Sequence, residues 1–177
     1  KAAPKPLESL EAFDALNAEK SITLVWNKPK EEIDSYSIYY SVSDFSGKKI
    51  SEIKKDESVK KISAEAGNTI RIENIDLTQC SFDSIGSPCK YGIYKNSLQP
   101  GRLYYWKSKD KMIYLANGLA DGQEYYFAVT AANSQGEISN DKTISGNTYV
   151  LSEGRNYIKS TPADDLAPGK VTELDKI

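Results

Sequence analysis

Two cysteines are the most reactive side chains in the sequence, and they stand close together. Cys80 and Cys89 flank a run of serine, glycine and proline residues that is typical of turns. Two thiols in such a segment favour a local disulfide, as found in proteins of oxidising compartments. A pair of free thiols in a reducing compartment is the alternative. A zinc site is a weaker hypothesis, because two sulfurs fill only half of a tetrahedral shell.

Other groups for catalysis are scarce. The 177-residue chain has no histidine, which removes the commonest general base and the commonest metal ligand. Glu31, Glu32 and Asp34 cluster in a turn between predicted strands, where carboxylates usually serve solubility and backbone hydrogen bonding. No serine or cysteine stands in a nucleophile motif, and no glycine-rich loop precedes a helix. We therefore expect no enzyme, no metal and no cofactor.

Aromatic residues are the feature that rises above background, with 12 tyrosines and 2 tryptophans. In the run 103–106, period-two alternation places large rings on both faces of a strand. An exposed face would form a flat aromatic platform that stacks on a sugar ring or anchors a protein partner. The alternative is that these rings pack into a small hydrophobic cluster of their own. The candidate platform consists of Tyr91, Tyr94, Tyr104 and Trp106.

Composition and charge limit the classes of partner. Hydrophobic residues make up 39% of the chain and charged residues 27%, which excludes both a membrane protein and a disordered chain. No apolar run approaches the roughly 20 residues that a membrane helix needs, so we expect no membrane insertion in this segment. A net charge of -2 offers no basic face for nucleic acid. A protein or glycan partner is the expected class.

Alternating hydrophobic residues predict three strands. Residues 21–26 and 36–42 alternate, and residues 125–131 do so most clearly. Helical periodicity is restricted to Ile50–Ile62, which is either a short surface helix or an irregular loop. The sequence therefore predicts an all-β protein. The residues expected on the inner faces are Ile22, Leu24, Trp26, Tyr36, Ile38, Tyr40, Val42, Tyr125, Phe127, Val129 and Ala131.

The order and spacing of these residues resemble the fibronectin type III family. Trp26 is placed like the core tryptophan that ends the family's second strand, and residues 36–40 resemble its third strand. The run from Leu119 to Tyr125 resembles the family's leucine, turn and corner tyrosine, although Asp121 replaces the usual proline. The resemblance implies an immunoglobulin-like β-sandwich in which the corner hydroxyl reaches back to a nearby backbone group. The structural core residues that it implies are Trp26, Tyr36, Leu119 and Tyr125.

The domain plan has one departure from the family. Residues 7–161 form the fibronectin type III-like domain, and residues 45–110 are a long insertion between its third and fifth strands. We expect the insertion to add strands at one edge of the sandwich, with 101–107 and 112–115 paired as a hairpin. Residues 1–6 are expected to be a linker or processed terminus. Residues 162–177 resemble a linker and the start of another module, and its Asp164 and Asp165 are polar linker residues or, alternatively, calcium ligands.

The resemblance implies a function that involves no catalysis. It points to an extracellular or cell-surface adhesion, spacer or scaffold module of a multidomain surface or secreted protein, with neighbouring modules in the same polypeptide. One alternative is an accessory, carbohydrate-binding module of a secreted polysaccharide-degrading enzyme. The other is a subunit of a surface filament or layer that assembles by strand addition. Because the rest of the sequence follows the sandwich pattern, any ligand is expected on the insertion.

The disulfide is directly testable. Native protein treated with an alkylating reagent should gain no mass at Cys80 or Cys89, because both sulfurs are bonded, and should gain two adducts after reduction. Intact mass spectrometry measures this. Two adducts on unreduced protein would contradict the disulfide and the extracellular assignment together.

Overall fold

The computed structural model describes residues 4–14, 20–73, 98–137, 143–144, 147–148, 151 and 153–162. Within these ranges the chain is mostly β-structure, and two sheets pack face to face as an all-β sandwich. None of the helices found there has both the length and the apolar character that a bilayer crossing requires.

The elements follow one another along the chain with one short helix between the third and fourth strands. This helix, α1, spans Ile50–Ile53, and 3₁₀ turns cover Ala66–Asn68 and Lys107–Lys109. The strands are β1 (Glu11–Asp14), β2 (Ile22–Asn27), β3 (Ser35–Ser41), β4 (Lys60–Glu65), β5 (Ile70–Ile72), β6 (Leu103–Trp106), β7 (Lys111–Ala116), β8 (Tyr125–Asn133), β9 (Gly136–Glu137), β10 (Thr143–Ile144), β11 (Asn147–Thr148) and β12 (Tyr157–Ser160).

The two sheets differ in the order and direction of their strands. The first sheet has the order β1-β2-β7-β6-β5, and all its pairs are antiparallel except β5 with β6. The second sheet has the order β12-β8-β3-β4, and β9 folds back onto β8. Strands β10 and β11 form a separate two-stranded ribbon. Strands β4, β5 and β6 lie within residues 45–110, the predicted insertion.

Alternation along the strands builds the central core between the sheets. Ile22, Leu24 and Trp26 point inward from β2, as predicted from their period of two. The Trp26 ring is fully buried and meets the Tyr36 ring edge-on, with centroids 5.1 Å apart. Leu119 and Tyr125 are buried in the same core. Tyr125, Phe127, Val129 and Ala131 line it from β8, so the predicted register of this strand is confirmed.

The corner before β8 is closed by a side-chain hydrogen bond. The backbone N–H of Ala120 donates to the Tyr125 hydroxyl over 2.8 Å. This bond satisfies the polar tip of a ring that is otherwise in the core. Gly122, with φ +82°, turns the chain between the two residues, a conformation that glycine adopts without steric cost. The hydroxyl therefore meets the backbone five residues upstream, as the resemblance implies.

Three details of the sequence prediction are corrected. Val42 does not share the inner face of β3, because that strand ends at Ser41 and the Val42 side chain is 54% exposed. Strand β2 is not half-buried, since Val25 on its outer face is also fully buried. The stretch 50–62 is neither one helix nor one loop: α1 occupies its first turn and β4 begins at Lys60.

Residues 45–110, the predicted insertion, extend both sheets on the same side of the sandwich. Strand β6 pairs with β7 as the predicted hairpin, and β5 adds beyond it in the first sheet. Strand β4 instead pairs with β3 in the second sheet. The expectation of extra strands at one edge of the sandwich is therefore confirmed, and the added strands form two facing sheet edges with a cleft between them.

Truncating the core tryptophan tests this packing. Trp26→Ala should lower the free energy of unfolding by about 3 to 5 kcal/mol, because a fully buried indole leaves a cavity. Tyr126→Ala should cost less, since Tyr126 is only partly buried outside the central core. Denaturant titration gives both values. Equal losses for Tyr125→Ala and Tyr126→Ala would contradict the register of β8.

Candidate binding cleft

The proposed aromatic platform is not exposed at the two residues that the structure describes. Tyr104 is 5% and Trp106 is 2% exposed, and both pack with Val25 and Ile113 on the outer face of the first sheet. The Tyr104 hydroxyl accepts the backbone N–H of Gln99 at 3.0 Å. A ring that is buried against its own sheet offers no face to a ligand. The platform hypothesis is wrong for Tyr104 and Trp106, which form a satellite cluster.

The remaining residues of that hypothesis fall elsewhere in the chain. Tyr91 and Tyr94, together with Cys80 and Cys89, lie outside the described residues, and so do Asp164 and Asp165. Their roles therefore stay predictions.

The outer face of the second sheet is covered by residues 43–59, here called the cap segment. Phe45, Ile50 and Ile53 of this segment are at most 2% exposed and pack on Tyr39 and Ala128 of the sheet. The Phe45 ring meets the Tyr157 ring edge-on at 4.9 Å. Tyr157 also fixes the start of the segment, since its hydroxyl accepts the Phe45 N–H and donates to Asp44.

A partly buried carboxylate holds the other end of the cap segment. Glu137 on β9 accepts hydrogen bonds from the hydroxyls of Tyr39 and Thr130. The Lys54 ammonium, just beyond α1, lies 2.6 Å from the second carboxylate oxygen. Both oxygens of Glu137 are therefore occupied. This cluster of Tyr39, Lys54, Thr130 and Glu137, here called the carboxylate clamp, joins the cap segment to β3, β8 and β9.

The pKa of Glu137 shows which effect dominates in the clamp. Burial alone would raise this pKa, because it disfavours the charged form. The hydrogen bonds from Lys54, Thr130 and Tyr39 outweigh burial and hold the pKa of Glu137 below its usual value. The carboxylate is thus ionised and stabilising at neutral pH. Its oxygens are engaged in structural bonds rather than presented to a ligand.

The insertion strands leave a cleft between the two sheets, with two cavities along it. The first cavity has a volume of about 300 Å³ and the second about 350 Å³. The first is lined by Lys28, Glu31, Glu32, Ile33, Tyr36, Ala66, Thr69, Tyr105 and Met112. The second is lined by Ser63, Ala64, Glu65, Asn68, Gly101, Arg102, Leu103 and Tyr114.

Strand register shows that the cavities are successive parts of one cleft. Tyr105 pairs with Met112 across β6 and β7, and this pair lines the first cavity. Leu103 pairs with Tyr114 two residues further along, and this second pair lines the second cavity. Residues two apart on a strand point to the same face and stand about 7 Å apart. The first sheet therefore supplies one continuous wall.

The first cavity combines apolar walls with a charged rim. The Lys28 ammonium lies 5.7 Å from the centre of the Tyr105 ring and 3.4 Å from the Pro29 carbonyl oxygen. The Tyr105 hydroxyl donates to Asp110 at 2.8 Å, and this bond raises the pKa of Tyr105. These phenol and ammonium groups are thus engaged within the chain.

A buried phenol and two exposed carboxylates complete the first cavity. Burial raises the pKa of Tyr36 to about 12, so this phenol stays neutral at physiological pH. Glu31 and Glu32 are exposed at the rim, and the Glu31 carboxylate accepts the Lys5 backbone N–H at 3.1 Å. Within the ranges described, no three His, Cys, Asp or Glu side chains group closely enough to hold a metal ion. The cleft is suited to binding a ligand with an apolar stem and a positive end.

Sequence reasoning missed both the clamp and the cleft. The sequence predicts turn residues at Glu31 and Glu32 and indicates no role for Glu137, because none of the three stands in a recognisable motif. Their partners come from distant segments, as in the contact between Lys54 and Glu137. The lysine and glutamate content of residues 50–62 was the one available signal, and it indicated charge without indicating its partner.

Comparison with known proteins adds no family assignment. No model of a known protein family matches the chain, and no curated protein matches it in sequence.

Acid should release the carboxylate clamp. Because the pKa of Glu137 is lower in the folded protein, its stabilisation is fully present above the unfolded pKa of about 4.3 and is lost as pH falls through the folded value. Glu137→Gln should therefore cost about 1 to 3 kcal/mol at pH 7, and this difference from the unsubstituted protein should shrink towards pH 3.

Denaturant titration across this pH range measures the difference. Glu57→Gln is the matched control, since Glu57 is an exposed residue of the same cap segment, and it should change stability little at any pH. A Glu137→Gln loss that stays constant from pH 7 to pH 3 would contradict an ionised clamp.

Proposed function

We propose that the chain is a fibronectin type III-like, non-enzymatic adhesion, spacer or scaffold module of a multidomain surface or secreted protein. The observation that carries the proposal is the hydrogen bond from the Ala120 N–H to the Tyr125 hydroxyl, at the corner leading into β8. A tyrosine corner of this kind recurs in immunoglobulin-like sandwiches, an architecture that many cell-surface domains share. The strand order β1-β2-β7 against β12-β8-β3, on to which residues 45–110 add further strands, supports the same assignment.

The distribution of apolar surface supports a rigid module. Tyr104 and Trp106 are buried on the outer face of the first sheet, and the cap segment covers that of the second. Neither face is therefore available as a broad apolar binding surface in the part of the chain that is described. Edges, loops and the cleft remain for recognition. A domain whose two outer sheet faces are covered and whose cleft is recessed is suited to act as a spacer that carries a binding site.

The buried rings also bear on the choice of partner. A glycan-binding surface stacks sugar rings on exposed aromatic faces, whereas Tyr104 and Trp106 are buried. The Tyr105 ring is exposed enough to line the cleft, but the Lys28 ammonium lies over it. These positions favour a protein partner over a glycan.

The cellular location of the protein gives the simplest test of the proposal. In intact source cells, an external protease should cleave the full-length protein, or the protein should be recovered from the medium. An epitope tag beside this domain, read by immunoblot, reports the cleavage. A known cytoplasmic protein in the same sample is the control for cell integrity. Cleavage that requires cell lysis would contradict a surface or secreted module.

A further inference from the structure

The edge of β4 that faces away from β3 borders the cleft, and it pairs with no other strand in the part of the chain that the structure describes. We propose that this edge is a docking site for an extended, basic peptide of a partner protein. The peptide adds as a strand to the second sheet and places a lysine or arginine side chain in the first cavity. This inference rests on the proposed function, because it names the class of partner that the module binds.

Hydrogen bonding along β4 shows which backbone groups face the cleft. The Ala66 N–H donates to the Asp34 carbonyl over 2.9 Å, next to the paired residues Glu65 and Ser35. Bonded and non-bonded pairs alternate in an antiparallel ladder. Ala64 and Ile62 therefore bond to β3, whereas the amide and carbonyl groups of Ser63 and Glu65 point to the other side. Among the described strands, β4 pairs with β3 alone.

The second cavity lies directly beside this edge. Ser63, Ala64 and Glu65 all line it, although neighbouring residues of a strand point to opposite faces. A cavity that touches three consecutive residues runs along the edge of the strand rather than over one face. Gly101, Arg102 and Leu103 form the facing wall. The unpaired backbone groups therefore open into a slot with two walls.

This slot distinguishes β4 from an ordinary solvated edge. Proteins commonly protect edge strands with charged residues, and Lys60 and Lys61 stand at the start of β4 in that way. Beside the cavity, Ser63 and Ala64 carry no charge, and the charged residue there is the exposed, acidic Glu65. Cavities of about 300 and 350 Å³ also reach the lower limit of ligand sites. Main-chain hydrogen bonds to Ser63 and Glu65 would hold an added strand, as in other cases of strand addition.

The first cavity selects the side chain of the added strand. Ile33 and Met112 line it with apolar atoms, and Glu31 and Glu32 are exposed at its rim. A lysine or arginine side chain matches this arrangement, because its aliphatic stem packs on apolar atoms while its charged end reaches carboxylates. The one lysine in the lining, Lys28, is directed to the Tyr105 ring. The peptide is therefore expected to be basic.

Selection from a display library of random short peptides, with the purified chain as target, provides the probes. Selected peptides should alternate in side-chain character and share one lysine or arginine. Ser63→Pro should weaken their binding about tenfold or more, because proline removes an amide that faces the slot. This variant keeps the ladder with β3, since proline is tolerated where the strand N–H faces outward.

A proline at the opposite edge of the same sheet is the matched control. The Val129 N–H donates to the Asn156 carbonyl, so the alternation along β12 turns the Lys159 amide outward as well. Lys159→Pro should leave peptide binding unchanged. Near-ultraviolet circular dichroism checks that both variants keep the native fold.

Two further changes act on the peptide and on its side-chain site. N-methylation of every second amide of a selected peptide should weaken binding by a similar factor when the methylated amides are those that face β4. Methylation of the intervening amides should not weaken binding. Both changes leave the protein unaltered. Glu31→Gln combined with Glu32→Gln should weaken binding of a basic peptide about fivefold and reduce its dependence on salt. Isothermal titration calorimetry measures each dissociation constant.

The outcomes separate this inference from the proposed function. Peptides that keep their affinity for Ser63→Pro, or a selection that yields none, would overturn docking at β4 while the surface-module proposal stands. Dimerisation of the free chain that Ser63→Pro abolishes would assign the edge to a second copy and would also overturn the inference. A cytoplasmic location would overturn the surface module and leave peptide docking untouched.

Discussion

Apolar side chains on both faces of both sheets are the constraint from which the rest of the structure follows. A sandwich needs one apolar face per sheet, but Val25 and Ile113 are buried on the outer face of the first sheet, as Tyr39 and Ala128 are on that of the second. Exposing these faces to water would cost about 25 cal/mol for each Å² of apolar surface. Additional chain is therefore needed to cover them, and the cap segment does so for the second sheet.

Because the cap segment covers an apolar sheet face, the polar groups at its two ends must be hydrogen-bonded. The cap segment is held at one end by Tyr157 and at the other by the carboxylate clamp. Both are hydrogen-bonded arrangements at the margin of an apolar cluster, where an unpaired polar group would be costly. Residues 45–110 also add β4 to one sheet and β6 to the other. The cleft lies between these two strands, beside the edge of β4 that pairs with no other described strand.

The sequence predicts the parts of this fold that depend on short-range periodicity. The inner faces of β2 and β8, the hairpin of β6 with β7 and the corner at Tyr125 follow from local alternation and turn residues. The burial of Trp106 and the role of Glu137 do not. Both depend on which distant residues approach them, and period-two alternation in a strand cannot distinguish a covered outer face from an exposed one.

The cap segment covers the outer face of the second sheet, and β4 stands at the edge of that sheet. Amide hydrogen exchange followed by nuclear magnetic resonance reports whether this edge is open. Exchange reports whether each amide is hydrogen-bonded in the native state. We expect alternation along β4: slow exchange at Ile62 and Ala64, whose amides bond to β3, and fast exchange at Ser63 and Glu65. Equally slow exchange at all four residues would mean that another strand already occupies the edge, and would rule out an open edge at β4.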